Sequence, residues 1–304
     1  MKLIGENIHI ISKKTREAIE NKDEAYIKNL AVAQKNMDWI DLNIGPARHK
    51  EGTFEWLLNI LEPVCNKPFS FDTTNFSEMK NAFSLVKNPQ DCIINSTNAE
   101  MSRLEPLSKL AGEYSSYLIG LTLSESGIPK TADERYELAS IIIDTACSFG
   151  VDGSKIIIDP LVLPIGVAQE QAIEAFDTIR MCQEAFEVVP MSVVGLSNIS
   201  NGSPKEIRPL INQTFAILAM GCGLSSAIVD ALDKNLVKIN SIIETQKAGN
   251  SYEKLVLDLY GMMQNYGDLD DIDYDKKDEE SVKLYKTAEV VLNKKIYSHS
   301  YLDI

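Results

Sequence analysis

Along this chain, short apolar runs repeatedly end in a carboxylate or an amide. Glu6 and Asn7 close the first run and Asp41 and Asn43 the second; Asp72, Asn95, Asp159, Asn198 and Asp230 close later ones. A single Asp at such a place is a routine turn or cap residue. Repetition at seven of eight runs reads instead as one polar floor. Carboxylates accept hydrogen bonds, and an asparagine amide both accepts and donates. A set of such groups suits a planar heterocycle with an amino group beside a ring N–H, because that edge meets a carboxylate through two parallel bonds. It suits a phosphate-rich substrate poorly, since there is no glycine-rich cradle and little positive charge at these positions. No metal site is expected. The five cysteines (Cys65, Cys92, Cys147, Cys182, Cys222) form no CxxC, and His9, His49 and His299 lack short ligand spacing.

A closed sheet would gather these residues. The runs Leu3–Asn7, Trp39–Asn43, Phe69–Asp72, Cys92–Asn95, Tyr117–Thr122, Lys155–Asp159, Ser192–Asn198 and Ala227–Asp230 read as buried parallel strands. Amphipathic stretches lie between them. Asp23–Met37 opens on Asp23 as N-cap. Thr131–Phe149 carries Leu138, Ile141, Ile142 and Ala146 at helical spacing, with Gly150 just beyond. Gln169–Phe186 is a third. Such units filling roughly 250 residues predict an α/β fold, a (β/α)8 TIM barrel with a C-terminal helical extension. No GxGxxG follows the first strand, which weakens the open dinucleotide-binding sheet as an alternative. In a barrel of this kind the C-terminal strand ends form the floor of the active site.

The chain reads as a single domain over residues 1–304, with an acidic helical insertion at about 249–285. Within it, Asp268–Glu280 carries eight acidic residues in thirteen. A solvated loop between helices over Ser251–Tyr266 and Ser281–Lys294 is expected there, with a docking surface for a partner as the alternative. The net charge of −14 over 304 residues argues against nucleic acid or an anionic membrane as a partner. No segment is apolar for long enough to span a membrane, and Glu6 interrupts the short apolar start, so no signal peptide is expected. The cysteines read as buried, reduced thiols of a cytoplasmic protein.

The strand-end segments also resemble a known family. Leu3-Ile4-Gly5-Glu6-Asn7-Ile8, Asp41-Leu42-Asn43-Ile44-Gly45-Pro46, Phe71-Asp72-Thr73-Thr74-Asn75 and Ile94-Asn95-Ser96-Thr97-Asn98-Ala99-Glu100 are similar to segments of the pterin-binding methyltransferases. So are Leu118-Ile119-Gly120-Leu121-Thr122, Gly127-Ile128-Pro129-Lys130, Ile158-Asp159-Pro160-Leu161, Gly195-Leu196-Ser197-Asn198-Ile199-Ser200 and Arg208-Pro209-Leu210-Ile211-Asn212. The match is to the methyltetrahydrofolate:corrinoid (iron–sulfur) protein methyltransferases, over about residues 1–247 and again near Lys286–Ser300.

The resemblance implies 5-methyltetrahydrofolate or tetrahydrofolate bound in the barrel mouth, with cobalamin carried by a separate corrinoid protein and a homodimer as the assembly. It implies that Asp72, Asn95 and Asp159 anchor the pterin, and that Asn198 reaches the methyl-bearing ring nitrogen. Asn198 and Asp159 are then the catalytic candidates; Glu6, Asn43 and Arg208 join the folate-binding set. Arg208 either reaches the rim of the pocket or pairs with a structural carboxylate. Lys130 either approaches the folate tail or partner, or is a solvated loop lysine. Asn201 departs from the family, which has a longer amide there. Two other readings compete. A pteroate-synthase-like enzyme would need a basic diphosphate site near the eighth strand, where this chain has Asp230-Ala231-Leu232-Asp233-Lys234. A non-catalytic folate-binding subunit would share the pocket but not the turnover. The direction of methyl transfer stays open.

Overall fold

The computed structural model describes residues 1–46 and 51–302; His49 lies outside them. Parallel strands close a barrel in sequence order: β1 (Lys2–His9), β2 (Trp39–Gly45), β3 (Phe69–Thr73), β4 (Ile93–Asn98), β5 (Tyr117–Leu121), β6 (Ile156–Asp159), β7 (Met191–Gly195) and β8 (Ser226–Val229). Around it run α1 (Lys13–Glu20), α2 (Glu24–Ala33), α3 (Thr53–Leu61), α4 (Phe76–Leu85), α5 (Met101–Tyr114), α6 (Ala132–Ser148), α7 (Gln171–Ala185), α8 (Arg208–Gly221) and α9 (Lys234–Thr245). The C-terminal extension adds α10 (Ser251–Gln264) and α11 (Glu279–Val291). No helix among the described residues is long and apolar enough to cross a membrane.

Each expected strand forms, and Asp23 and Thr131 cap α2 and α6 as their side chains suggest. Thr131 and Glu134 complete a reciprocal capping box, each side chain accepting from the other residue's backbone N–H. The stretch expected to be helical as far as Met37 ends at Ala33. There Gln34 turns inward: its side chain is fully buried and accepts the Asn7 N–H at 3.3 Å. Only a glycine at position 5 leaves room for it, because a Cβ there would lie 2.2 Å from Gln34 Oε1. Helix α1 has no counterpart among the expected elements, being mostly polar and started by the Ser12 side chain.

The strand alternation sorts the barrel interior into tiers. Ile4, Trp39, Ile93, Ile119, Ile157 and Val193 form an apolar plug inside the barrel, with Ile228 packed against it. Two residues further along the same strands stand Glu6, Asp41, Asn95, Leu121, Asp159, Gly195 and, just past β8, Asp230, with Asp72 of β3 in register beside Asn95. With period two, these share the inward face and form a mostly polar tier above the plug. A register shift in β1 between Gly5 and Ile8 then turns Ile8 outward into the layer under the helices.

The extension packs against the barrel's eighth helix. From Gln213 to Gly221 every residue of α8 is buried. Its surface is covered all round because α10 and α11 lie on the side that a bare barrel would leave in water. Gly221 permits the contact, since a Cβ there would lie 2.5 Å from the Tyr260 carbonyl oxygen. The acidic stretch Asp268–Glu280 forms the mostly exposed loop expected between two helices, and a few residues pin it to the core. Leu269 is buried at 1% exposure, Tyr285 Oη donates to its carbonyl at 3.1 Å, and Lys294 pairs with Asp268 and Asp270. The acidic side chains face water while Leu269, Ile272 and Tyr274 between them pack on the core. The helix expected from Ser281 begins within the stretch, at Glu279.

Candidate active site

On one side of the polar tier, β2, β3 and β4 build a connected network. Ser70 Oγ donates to Asp41 Oδ1 at 2.6 Å, and Asn95 Nδ2 donates to the same oxygen at 3.1 Å. Asn43 Nδ2 donates to Asp72 Oδ2, while Asn43 Oδ1 accepts the Gly45 N–H at 3.1 Å. Asn43 therefore orients Asp72 with both ends of its amide engaged. Asn95 is oriented by Asp41, and its carbonyl oxygen accepts from no described residue. Asp41 belonged to the polar ring in the sequence but carried no site role. Its burial at 2% and its central place here make it part of the site, and strand alternation from Asn43 was the available signal.

The carboxylates of this tier are held away from their ordinary ionisation. Burial pushes Asp72 up to about 6, against the nearby Arg103 charge and the Asn43 bond. Burial and then the facing charge of Asp72 hold Asp41 well above the usual carboxylate range, against its bonds from Ser70 and Asn95. Two close carboxylates in a dry site resist double ionisation, so this pair keeps a proton to a higher pH than either acid would in water.

Asp159 stands apart at the end of β6. Its Oδ1 accepts the Leu161 N–H at 2.8 Å, and Oδ2 accepts from no described residue. Burial pushes it up to about 7, opposed by that backbone bond and by the Arg135 charge. The backbone at Asp159 is fixed from β5, where the Thr122 N–H and Oγ1 both donate to its carbonyl oxygen, at 3.0 and 3.1 Å. The carboxylate is thus aimed but left open on one edge.

Across the mouth, Ser197 Oγ donates to Glu6 Oε1 at 2.5 Å, and Asn7 Nδ2 donates to Asp230 Oδ1 at 2.7 Å. Burial raises Glu6, with Asp230 adding to the effect and the Ser197 bond opposing it. Asn198 ends the 3-10 turn Leu196–Asn198 that follows β7. Its side chain is exposed and makes no hydrogen bond to a described residue. It passes over Gly195, where a Cβ would sit 2.9 Å from Asn198 Nδ2. Asn198 is therefore free to meet a ligand, while its turn is anchored one residue earlier.

Arg208 starts α8, and its Nε donates to the Ser203 carbonyl at 2.7 Å. Among the described residues it pairs with no carboxylate, so the structural ion pair open from the sequence does not form. Lys130 is exposed in the loop between β5 and α6, and Asn201 is exposed just beyond Asn198. Arg103 and Arg135, which carried no signal in the sequence, stand in the first turns of α5 and α6. Arg103 Nε donates to Ser96 O at 3.0 Å, and its Nη atoms reach Thr73 O and Thr74 O, each at 3.3 Å. It thereby ties the ends of β3 and β4 together. Among the described residues no group of three or more His, Cys, Asp or Glu side chains could hold a metal ion.

A groove of about 690 Å³ outside the barrel, between α8, α9 and the extension, contains none of these residues. Its lysines, Lys238 and Lys283, are already paired with Glu253 and Glu279. The convergent, unpaired groups are at the mouth, which is the candidate active site.

The family model described as pterin binding enzyme matches residues 12–230. The chain is 28% identical over 242 residues to the methylcorrinoid:tetrahydrofolate methyltransferase of Eubacterium limosum, covering 78% of this chain and 88% of that protein. It is 30% identical over 261 residues to methionine synthase of Mycobacterium leprae, covering 81% of this chain but only 21% of that longer protein. Among solved structures, Yersinia pestis dihydropteroate synthase gives a TM-score of 0.58 at 15% identity, covering 81% of this chain and 92% of that one. The Xanthomonas albilineans dihydropteroate synthase gives 0.58 at 17%, covering 82% and 93%. At these identities the structural likeness is one of fold.

Proposed function

The chain belongs to the family of pterin-binding enzymes, and from that premise we propose that it is a methyltransferase acting between the N5 ring nitrogen of 5-methyltetrahydrofolate and the cobalt of a separate corrinoid protein. One observation carries the reading: an inward tier of Asp41, Asp72, Asn95 and Asp159 stands above an apolar plug, with an unbonded amide, Asn198, at its edge. The names of the relatives from Eubacterium limosum and Mycobacterium leprae agree with it.

The pterin presents an amino group beside a ring N–H, which is the edge that a carboxylate with a free oxygen receives best. Asp159 would take that edge. Asp72 and the Asn95 carbonyl would accept from other N–H groups of the ring, while the apolar plug limits how deeply it sits. The difficulty in the reaction lies at N5, where a methyl group leaves a poor leaving group behind. A hydrogen bond to that nitrogen which strengthens as the methyl departs lowers the barrier. Asn198 supplies that hydrogen bond in the one transition state that both directions share; the N5 hydrogen of tetrahydrofolate comes from solvent as the methyl departs and returns to solvent in the reverse transfer. The corrinoid supplies the cobalt that takes or gives the methyl group. The partner in this reading is a corrinoid protein, the assembly a homodimer and the compartment the cytoplasm.

A pteroate-synthase-like reaction fits the site less well. The end of β8 offers Asp230, engaged with Asn7, and no cationic cluster for a diphosphate leaving group. The test is absorbance: methyltetrahydrofolate and reduced free cobalamin should give methylcobalamin with the enzyme present. Tight folate binding with no methyl transfer in either direction would support the non-catalytic reading.

A further inference from the structure

Arg135, in the first turn of α6, is the largest side chain that the fold buries completely. An isolated buried cation is costly and normally rests on a carboxylate. This one does not. Its Nε donates to Pro129 O at 3.2 Å, its Nη1 to Leu161 O at 3.3 Å, and its Nη2 to Gln171 Oε1. Gln171 Nε2 in turn donates to Lys130 O at 3.1 Å, and Glu174 Oε2 accepts the Ala132 N–H at 2.7 Å. The guanidinium therefore joins the loop after β5 to the loop after β6.

Leu161 is the link to the site. Its carbonyl receives Arg135, and its N–H donates to Asp159 Oδ1. It holds a left-handed backbone, with φ +65°, in which a leucine is strained unless its surroundings fix it. Had Arg135 paired directly with Asp159, it would have occupied the oxygens that a ligand needs. We propose that Arg135 is a positioning residue for Asp159: it fixes the Leu161 turn that aims the carboxylate, and lends it positive charge from a distance without covering its open edge.

This rests on the reading of Asp159 as the pterin anchor. Among the described residues the charged group facing Asp159 is Arg135, from α6; Glu174, from α7, faces Arg135 in turn. The Arg135 charge opposes the burial that raises Asp159.

The test follows tetrahydrofolate affinity by calorimetry across neutral pH, beside the ligand-free titration of the Asp159 carboxyl by carbon NMR, assigned with D159N. Arg135→Gln should move both midpoints up by about one pH unit, the scale of a nearby opposite charge. Glu174→Gln, which removes a charge facing Arg135 and keeps an acceptor for Ala132, should move both down. Arg135→Lys should leave the midpoints near the parent's and lower affinity by a similar factor at every pH, because an ammonium cannot reproduce the planar fork. If R135Q does not fold, the downward shift in E174Q remains the deciding result. Unmoved midpoints in R135Q and E174Q would overturn the proposal and leave Arg135 as a loop support. A parent enzyme that binds no tetrahydrofolate, with the carboxyl shifts intact, would instead overturn the pterin-anchor reading alone.

Discussion

Ser197 donates its hydroxyl to the half-buried carboxylate of Glu6, joining the end of β7 to β1 across the barrel mouth one residue before Asn198. The bond fixes the 3-10 turn that carries Asn198 while leaving the Asn198 amide unengaged. In the proposed mechanism Glu6 would then act as a positioning residue, through the turn that carries Asn198. Ser197→Ala should loosen that turn and lower kcat/KM for methyl transfer about tenfold, the scale of one hydrogen bond to a charged group. Tetrahydrofolate affinity should change much less. An affinity loss equal to the rate loss would place Glu6 and Ser197 in binding instead.

Gly195 leaves the space that the Asn198 side chain crosses, since a Cβ there would meet Asn198 Nδ2 at 2.9 Å. Gly195→Ala should displace the amide and reproduce the defect of Asn198→Ala. The double variant should be no worse than either single one, because both remove the same interaction. Additive losses in the kinetic cycle would count against this shared cause.

Asp159 links function to stability. Burial raises its carboxyl to about 7, so over a wide range the folded chain binds a proton that the unfolded chain does not. The stability associated with that proton is complete below the unfolded value of about 3.9 and is lost as the pH rises through about 7. Asp159→Asn keeps an acceptor for the Leu161 N–H and removes the charge. Without ligand, the variant should melt higher than the parent above neutral pH, and the gap should narrow steadily as the pH falls from about 7 toward about 4. It should also lose tetrahydrofolate binding. Equal melting temperatures at all pH values would show that Asp159 is not the group carrying this proton.

As the proposed pterin anchor, the same carboxylate must be ionised to accept the amino and N–H edge. Tetrahydrofolate affinity should therefore weaken as the pH falls through about 7, with a further loss near 6 as Asp72 is protonated. Calorimetry at a series of pH values reads this directly; affinity that rises toward acid would reverse the assignment.

The extension depends on a close helix contact. Gly221→Ala pushes a methyl group toward the Tyr260 carbonyl and should cost roughly 1–3 kcal/mol. It should lower Tm by several degrees while leaving the pH dependence of folate binding unchanged. An unchanged Tm would mean that α8 and α10 can part cheaply.

Much of this was legible in the sequence, for physical reasons that also set the limit. The strands were visible because residues buried on both faces are continuously apolar, and the polar tier because seven of the eight runs end in an acid or amide. Strand alternation alone could place Asp41 beside Asn43 and Asp72. The roles of Arg103 and Arg135 could not be read. Each is an ordinary helical arginine until the barrel closes and brings the carbonyls of separate loops to its guanidinium. The acidic stretch was legible as a solvated loop, but the few apolar residues that pin it down, Leu269 above all, were hidden among the carboxylates.

In the proposed reaction, Asn198 is the residue on which methyl transfer turns. The decisive measurement compares Asn198→Ala with the parent in methyl transfer from methyltetrahydrofolate to reduced cobalamin, beside tetrahydrofolate affinity in the same buffer. A donor that acts in the transition state should cost roughly 100- to 1000-fold in kcat/KM while affinity stays within a few fold. Parallel losses in rate and affinity, or full activity in the variant, would contradict a role for Asn198 at the ring nitrogen.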